Sequence, residues 1–329
     1  MDLKGKKVLV TGAAGFIGSH LTEELIKKEA QVRVFVRYKS DGGIGNLEEF
    51  PEEILEKIEI IRGDLKNSDS VNRAVEGTEV IFHLGAMISI PYSYVDPRDF
   101  VETNVIGTLN VLKAAQKNKV KKIIITSTSE TYGTAIYSPI DEQHHMQAQS
   151  PYSATKISAD KLSESFFRTY NLPIIIIRPF NTYGPRQSRR AVIPTIIYQA
   201  LNSDVINLGS LSPKRDFTFV KDIVEGFIKT AESENIIGET INICSDETAS
   251  VKEIVKKVEK IMGEKLTILR DENKVRPETS EVFLLIGNNE KAKKLLGWEP
   301  KTSLEDGLKE TIDYIKDNLN KYASERGNI

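Results

Sequence analysis

The chain predicts an α/β fold, a doubly wound parallel sheet followed by a smaller C-terminal α/β lobe. Three observations predict it. Short apolar runs of strand type alternate with longer helical patterns through the first half, the rhythm of a parallel sheet covered on both faces. A glycine-rich turn joins the first of those runs to the first helix. A length of 329 residues is enough to bury a large core and to divide into two lobes.

The elements follow in order. Val8-Leu9-Val10 is a short, fully apolar strand, too near the start of the chain to follow a signal peptide. Small residues at 11–15 make a turn, and 16–28 read as a helix with Ile17, Leu21, Leu25 and Ile26 on one side. Residues 32–36 are the second strand, 60–65 the third, and 68–75 the helix after it. Strands follow at 80–84, 122–126 and 173–178, with helices near 98–117 and 151–170 between them. After Pro179 the texture changes to loops and shorter helices at 192–201, 220–232, 251–262 and 303–319. These place one lobe at 1–178 and a second at 179–329, with a polar, frayed end at 321–329.

A net charge of −2 without a dense basic block makes no electrostatic case for nucleic acid or membrane binding. No apolar stretch approaches the ~20 residues of a membrane span. The single cysteine, Cys244, rules out an internal disulfide, suits a reducing cytoplasm and reads as a small buried residue. Four histidines, two of them adjacent at His144-His145 on a polar loop, do not make a metal site.

The turn Thr11-Gly12-Ala13-Ala14-Gly15-Phe16-Ile17-Gly18 has a chemistry of its own. Glycines at 12, 15 and 18 let the backbone turn tightly, approach a pyrophosphate and pack the helix on the sheet; the helix N-terminus then favours the phosphates. An ordinary strand–turn–helix corner would use the same residues, and the spacing is G-x-x-G-x-x-G rather than G-x-G-x-x-G. The second strand ends at Arg37 with no carboxylate, whereas an NAD site places Asp or Glu about 20 residues after the glycines. Arg37 suits a 2′-phosphate and favours NADP over NAD, although a solvated strand-end charge would look the same. Asp64 is placed to bond an adenine amino group, to cap the 68–75 helix, or both.

Tyr152 and Lys156 lie four residues apart, so phenol and ammonium share a helix face. A neighbouring cation favours the ionised phenol and should lower its pKa from about 10, which makes Tyr152 a proton-transfer candidate.

Taken together the motifs resemble the extended short-chain dehydrogenase/reductases, nucleotide-sugar branch. They are the glycine turn, Asp64-Leu65, His83-Leu84-Gly85-Ala86, Thr103-Asn104-Val105-Ile106-Gly107-Thr108, Ser127-Thr128-Ser129-Glu130-Thr131-Tyr132-Gly133, Tyr152 with Lys156, Arg178-Pro179-Phe180-Asn181-Thr182-Tyr183-Gly184-Pro185 and Arg215-Asp216-Phe217. The stretches Ile90-Pro91-Tyr92-Ser93-Tyr94, Pro185-Arg186-Gln187-Ser188 and Leu208-Gly209-Ser210-Leu211-Ser212-Pro213 look most like the N-acetylglucosamine-nucleotide 4,6-dehydratases of the legionaminic-acid type.

The resemblance implies a Rossmann lobe onto which parts of 217–245 fold back. It implies a tightly bound, recycled NADP, with NAD as the alternative, held by Gly12, Gly15, Phe16, Ile17 and Gly18. Arg37, Asp64, Leu65, Leu84, Ala86, Tyr152 and Lys156 would complete that site. Thr128 would bond the sugar O4 beside Tyr152, or be only a turn hydroxyl. Asn181, Arg215 and Arg276 would hold the nucleotide sugar, the two arginines as diphosphate clamps. Either arginine would serve equally as a surface ion-pair partner, with Asp216 and Glu278 close by in sequence. Asn104 supports the fold rather than touching substrate. The family usually dimerises by pairing the helices near 98–117 and 151–170 into a four-helix bundle; faces carrying Val101, Val105, Leu109 and Leu112, and Ile157, Leu162 and Phe166, would serve the core, the partner or both.

Glu130 separates the possible reactions. A C4 epimerase needs a base at O4 and a nicotinamide; a 4,6-dehydratase also needs a base for the C5 proton and an acid for the C6 hydroxyl. Ser129 departs from the Thr-Asp-Glu pattern of the dTDP-glucose dehydratases and matches the GDP-mannose dehydratases. A hydroxyl is a poor acid, so the proton comes from Glu130 or a relayed water. The Ser-Thr-Ser-Glu run also occurs in UDP-glucuronate decarboxylases, which stay open as a reading beside C4 epimerases and a non-catalytic NADP-binding regulator. Nucleotide and sugar are not legible; UDP- or GDP-linked N-acetylglucosamine rests on the resemblance alone.

Overall fold

The computed structural model describes residues 1–275 and 277–325. Its central sheet has seven strands: β1 Lys7–Thr11, β2 Gln31–Arg37, β3 Ile58–Gly63, β4 Val80–His83, β5 Lys122–Thr126, β6 Ile174–Pro179 and β7 Thr240–Ile243. Their spatial order is β7-β6-β5-β4-β1-β2-β3, and every pairing is parallel. This is the doubly wound Rossmann sheet that the sequence predicts.

Alternation along the strands divides the core into two layers. Val8 and Val10 face one layer with Leu21, Leu25, Val224 and Phe227. Leu9 faces the other with Val71, Val111, Leu112 and Ala115. Parallel strands need crossover helices, and those helices cover both faces, so the runs are apolar throughout. The chain order reverses between β1 and β4, which opens a crevice beyond the strand carboxyl ends at that point. The turn after β1 and the loops after β4, β5 and β6 all arrive at this edge.

Two helices position the site. Pro151–Tyr170 begins with a capping box in which Ser150 and Ser153 satisfy each other's backbone N–H, and Pro151 sits at its first turn. It ends at Asn171, whose φ of 52° is the left-handed stop that Asn tolerates. The second departs from the single helix expected near 98–117: Pro97–Phe100 runs into a π-helical turn, Val101–Ile106, and then into Gly107–Lys117. The wider turn turns Asn104 inward, where it is 1% exposed.

Residues 217–243 return to the first lobe. Phe217–Phe219 pairs with Asn181–Tyr183, the helix Val220–Glu232 lies beside Phe16–Lys27 on one face, and β7 adds to β6. The rest of the C-terminal half forms small sheets, Lys214–Arg215 between Ala249–Ser250 and Leu284–Leu285, and Val205–Leu208 with Thr267–Arg270. Among the described residues no helix is long and apolar enough to cross a membrane.

Candidate active site

The glycine turn is built by exclusion of side chains. A Cβ on Gly12, whose φ is 74°, would lie 2.7 Å from Gly85 N; one on Gly18 would lie 2.2 Å from Gly12 O. The turn therefore rests directly on the Leu84-Gly85 backbone. Gly15 is the N-cap of the 16–27 helix and has no side chain to cap it. The first helical N–H groups, beginning with Phe16 and Ile17, are left to an external acceptor, the arrangement that suits a pyrophosphate. On this test the residues fit a dinucleotide.

Arg37 closes β2 exposed to solvent, in register with Gly63 of β3. Asp64 follows, but it is not the cap of the 68–75 helix. Asn67 takes that position and accepts from Ser70 N at 2.9 Å, while Asp64 Oδ1 accepts from Lys66 N. Leu65 is buried, and its side chain fills the space that Gly85 and Gly107 leave open.

Behind the turn lies a group that the sequence reading treated only as part of a motif. His83 hydrogen-bonds Thr11 Oγ1 at 2.8 Å through Nδ1 and Thr108 Oγ1 at 3.0 Å through Nε2. The Thr108 proton goes to Asn104 O, so Thr108 accepts from Nε2–H and Nδ1 accepts from Thr11. That network wants a neutral ring. Burial, aided by the Lys156 charge, holds the imidazole down at about 3. Asn104 in turn accepts from Met87 N and donates to Met87 O and Thr155 Oγ1. It supports the scaffold that carries the helix of Tyr152.

Thr128, Tyr152 and Lys156 are brought together. Thr128 N-caps the 3₁₀ turn Ser129–Thr131, its hydroxyl accepting from Glu130 N at 3.2 Å, and it lies near enough to Tyr152 to act on the phenol. Lys156 Nζ donates to Thr126 O at 2.6 Å. The expected lowering of the Tyr152 phenol by Lys156 is not what the structure gives. Burial pushes the phenol up, the Thr128 hydroxyl pulls it back only in part, and the Glu130 and Asp160 carboxylates push it further up. Phe100 packs edge-on against the ring at 6.3 Å, so desolvation outweighs the helix-turn neighbour. Lys156 is itself pulled down by burial, with Asp160 opposing. Glu130 is half-buried on the turn, whereas Ser129 is 2% exposed inside it.

A buried polar chain anchors this region. Ser127 Oγ donates to Asp160 Oδ2 at 2.7 Å, and Arg178 donates to the same oxygen from Nε and Nη2. Arg178 also donates from Nη1 to Tyr132 OH, which donates to Asn242 Oδ1 on β7. The helix of Tyr152, the β5 end and β7 are thereby joined. Arg178, Ser127 and Tyr132 belong to the sequence motifs; their partner Asp160 does not. Its one signal was position, four residues after Lys156 on the same helix face. His144 is buried rather than on a polar surface, edge-on to Tyr132, its Nε2 accepting from Ile136 N.

On the second lobe's side, Asn181 opens its strand with Oδ1 buried and, among the described residues, without a hydrogen-bond partner. An acceptor left so is a place for a ligand donor. Arg215 is buried, not a surface charge, and pairs with Glu281 at 3.0 Å rather than with Asp216. Asp216 accepts from Ser245 N, Asp246 N and Gly287 N, tying three loops together. Arg276 lies outside the described residues.

A doubly wound sheet with a glycine turn at its switch point and a Tyr–Lys pair one helical turn apart is the arrangement of the short-chain dehydrogenase/reductases. The family model described as GDP-mannose 4,6 dehydratase matches residues 9–311. An uncharacterised UDP-glucose epimerase of Bacillus subtilis is 34% identical, over 94% of this chain and 98% of its own. A UDP-N-acetyl-alpha-D-glucosaminuronate decarboxylase of Bacillus cytotoxicus is 35% identical, over 95% and 98%. The solved UDP-glucuronic acid 4-epimerase of Bacillus cereus, in complex with UDP-glucuronic acid and NAD, superposes with a TM-score of 0.86 at 33% identity, over 95% and 99%. The chain belongs to the nucleotide-sugar dehydratase/epimerase family of extended short-chain dehydrogenase/reductases.

Proposed function

We propose that the protein is a nucleotide-sugar 4,6-dehydratase that makes a 4-keto-6-deoxy sugar, with UDP- or GDP-linked N-acetylglucosamine as the donor. The observation that carries the reading is Glu130, a carboxylate within the turn that Thr128 caps and near enough to Tyr152 to raise its phenol. Oxidation and reduction at C4 alone need no such group. Tyr152, as the phenolate, takes the O4 proton and becomes the neutral phenol; Lys156 compensates the phenolate charge that precedes this transfer, against the burial that otherwise pushes the phenol up. A C4 ketone acidifies C5, and Glu130 removes that proton. Water leaves from C6, protonated by Glu130 or a relayed water, since the Ser129 hydroxyl is a weak acid. A bound nicotinamide supplies a reversible hydride store for this cycle. Arg37, exposed at the β2 end without a carboxylate beside it, supports NADP, with NAD as the alternative. Asn181 is proposed to reach the sugar or phosphate through its amide, and Arg215 and Arg276 to clamp the diphosphate.

A second reading, C4 epimerisation or decarboxylation, is favoured by the Bacillus subtilis epimerase and Bacillus cytotoxicus decarboxylase relatives at 34% and 35% identity. Incubation with UDP-, GDP- and dTDP-sugars, UDP-glucuronate included, followed by mass spectrometry, separates them. Loss of one water from one donor is expected; loss of carbon dioxide or an unchanged mass with an inverted C4 would replace the dehydratase. Glu130→Gln should stop dehydration yet trap reduced cofactor, and full activity in that variant would remove Glu130 from the chemistry. We also propose a homodimer through the 98–117 and 151–170 helices. Val101 and Ile106 there are exposed at 45% and 42%, while Leu112 belongs to the core.

A further inference from the structure

Arg186 stands in a backbone conformation that residues with side chains seldom adopt, with φ at 67°. Such conformations persist where surrounding contacts over-determine them, and they direct attention to what the contacts hold. Here they hold the segment that lies on the glycine turn. Arg186 Nη2 pairs with Glu23 at 3.0 Å, on the helix whose N-terminus the turn leads into, and Nε pairs with Glu49 at 3.3 Å. The guanidinium stacks over Phe50 with its carbon 5.2 Å from the ring centroid. Its own carbonyl accepts from Asn46 Nδ2 at 3.2 Å.

Asn46 is the key neighbour. Its backbone N–H donates to Ala14 O at 3.0 Å, inside the glycine turn. Gly45 beside it has a φ of 64°, and a Cβ there would lie 2.7 Å from the same Ala14 oxygen. The segment 44–50 therefore runs directly against the turn, and the contacts of Arg186 keep it there. From the far side, Tyr314 OH donates to Glu49 at 2.7 Å and Lys321 donates to Asn46 Oδ1 at 2.9 Å. The Arg186 side chain is 14% exposed, so these pairs are screened less than surface pairs are.

We propose that Arg186 is a positioning residue that latches the 44–50 segment over the glycine turn and so retains the dinucleotide between turnovers. The inference rests on the reading of that turn as the dinucleotide site. Arg186 follows Pro185 directly, and Pro185 O accepts from His20 Nε2 at 2.9 Å on the 16–27 helix. The latch is thus continuous with the strand that begins at Asn181. An enzyme whose reaction returns the hydride to its own product gains from such retention, because release of the cofactor in mid-cycle would abandon the intermediate.

The test is the dissociation rate of NADPH, read by stopped-flow fluorescence as excess NADP⁺ displaces it; NADH and NAD⁺ replace them if the wild type prefers that pair. Arg186→Met, which keeps length and removes charge, should release the cofactor about tenfold faster or more, with Arg186→Lys between it and the wild type. Lys122→Met is the control for mere loss of stability. Lys122 Nζ bonds Ala231 O and Ser233 O at the end of the 220–232 helix, away from the turn, and that variant should melt lower yet release at the wild-type rate. Release from Arg186→Met at the wild-type rate, or equal acceleration in Lys122→Met, overturns the latch. A wild type that binds neither cofactor overturns the dinucleotide reading, and the latch with it.

Discussion

Asp160→Asn should be among the most damaging conservative substitutions in the protein. Asp160 and Arg178 are each 2% exposed, and a single carboxylate oxygen takes three donors, Ser127 Oγ at 2.7 Å and Arg178 Nη2 and Nε at 2.9 and 3.2 Å. The amide preserves shape and an acceptor oxygen but removes the charge, leaving the buried guanidinium without its carboxylate partner; its other contacts are the Tyr132 hydroxyl and, weakly, Met146 Sδ at 3.6 Å. Breaking a buried pair from one side costs about 3–5 kcal/mol, because the remaining charge is uncompensated. Removing both charges, as in Asp160→Asn with Arg178→Met, relieves that penalty, so the double variant should be more stable than the sum of the singles by about 2 kcal/mol or more. Urea unfolding of the four proteins, monitored by circular dichroism at constant pH, measures the cycle. Additive losses, or an Asp160→Asn loss below about 1 kcal/mol, would refute the uncompensated-charge argument.

Two further expectations follow from the same site. His83 and His20 are held at about 3 and about 4 by burial, below the 6.5 of an exposed ring. Both are neutral in the fold. As pH falls through 6.5 the unfolded chain takes up the protons first, so stability is lost from there down to the folded values. Between pH 7 and 5 each ring should contribute a loss of about 2 kcal/mol, so His20→Gln and His83→Gln should each lose about that much less than the wild type over the same interval. An unchanged pH dependence in both would show that neither ring is buried neutral. Gly18→Ala puts a Cβ 2.2 Å from Gly12 O. The turn must open, and calorimetry should show NADP(H) binding weakened about tenfold or more, the equivalent of about 1–3 kcal/mol of overpacking; unchanged affinity would detach the turn from the cofactor.

The comparison of sequence with structure divides by range. Apolar runs separated by helical patterns are enough to predict a two-layered parallel sheet, because strand and helix periodicities are local properties. The same holds for the glycine turn after β1, and for Tyr152 and Lys156 four residues apart. Local signals fell short at three places. Asn67, not Asp64, caps the 68–75 helix, and a π-helical turn interrupts the helix expected across 98–117. Arg215 pairs with Glu281, 66 residues away, in place of its neighbour Asp216.

Residue type and short spacing thus determined, before any fold was known, the class of sheet and the groups available for chemistry: a hydroxyl, a phenol, an ammonium and a carboxylate near strand ends. Tertiary structure alone decided how those groups behave. Burial beside Phe100 reverses the expected direction of the Tyr152 shift, the threonines on either side set the tautomer of His83, and Asp160 binds the 151–170 helix to Ser127 and Arg178. The physical reason is that spacing along a chain sets which face a side chain shares, whereas its solvent exposure and charged neighbours depend on segments brought together from 18 to 110 residues away.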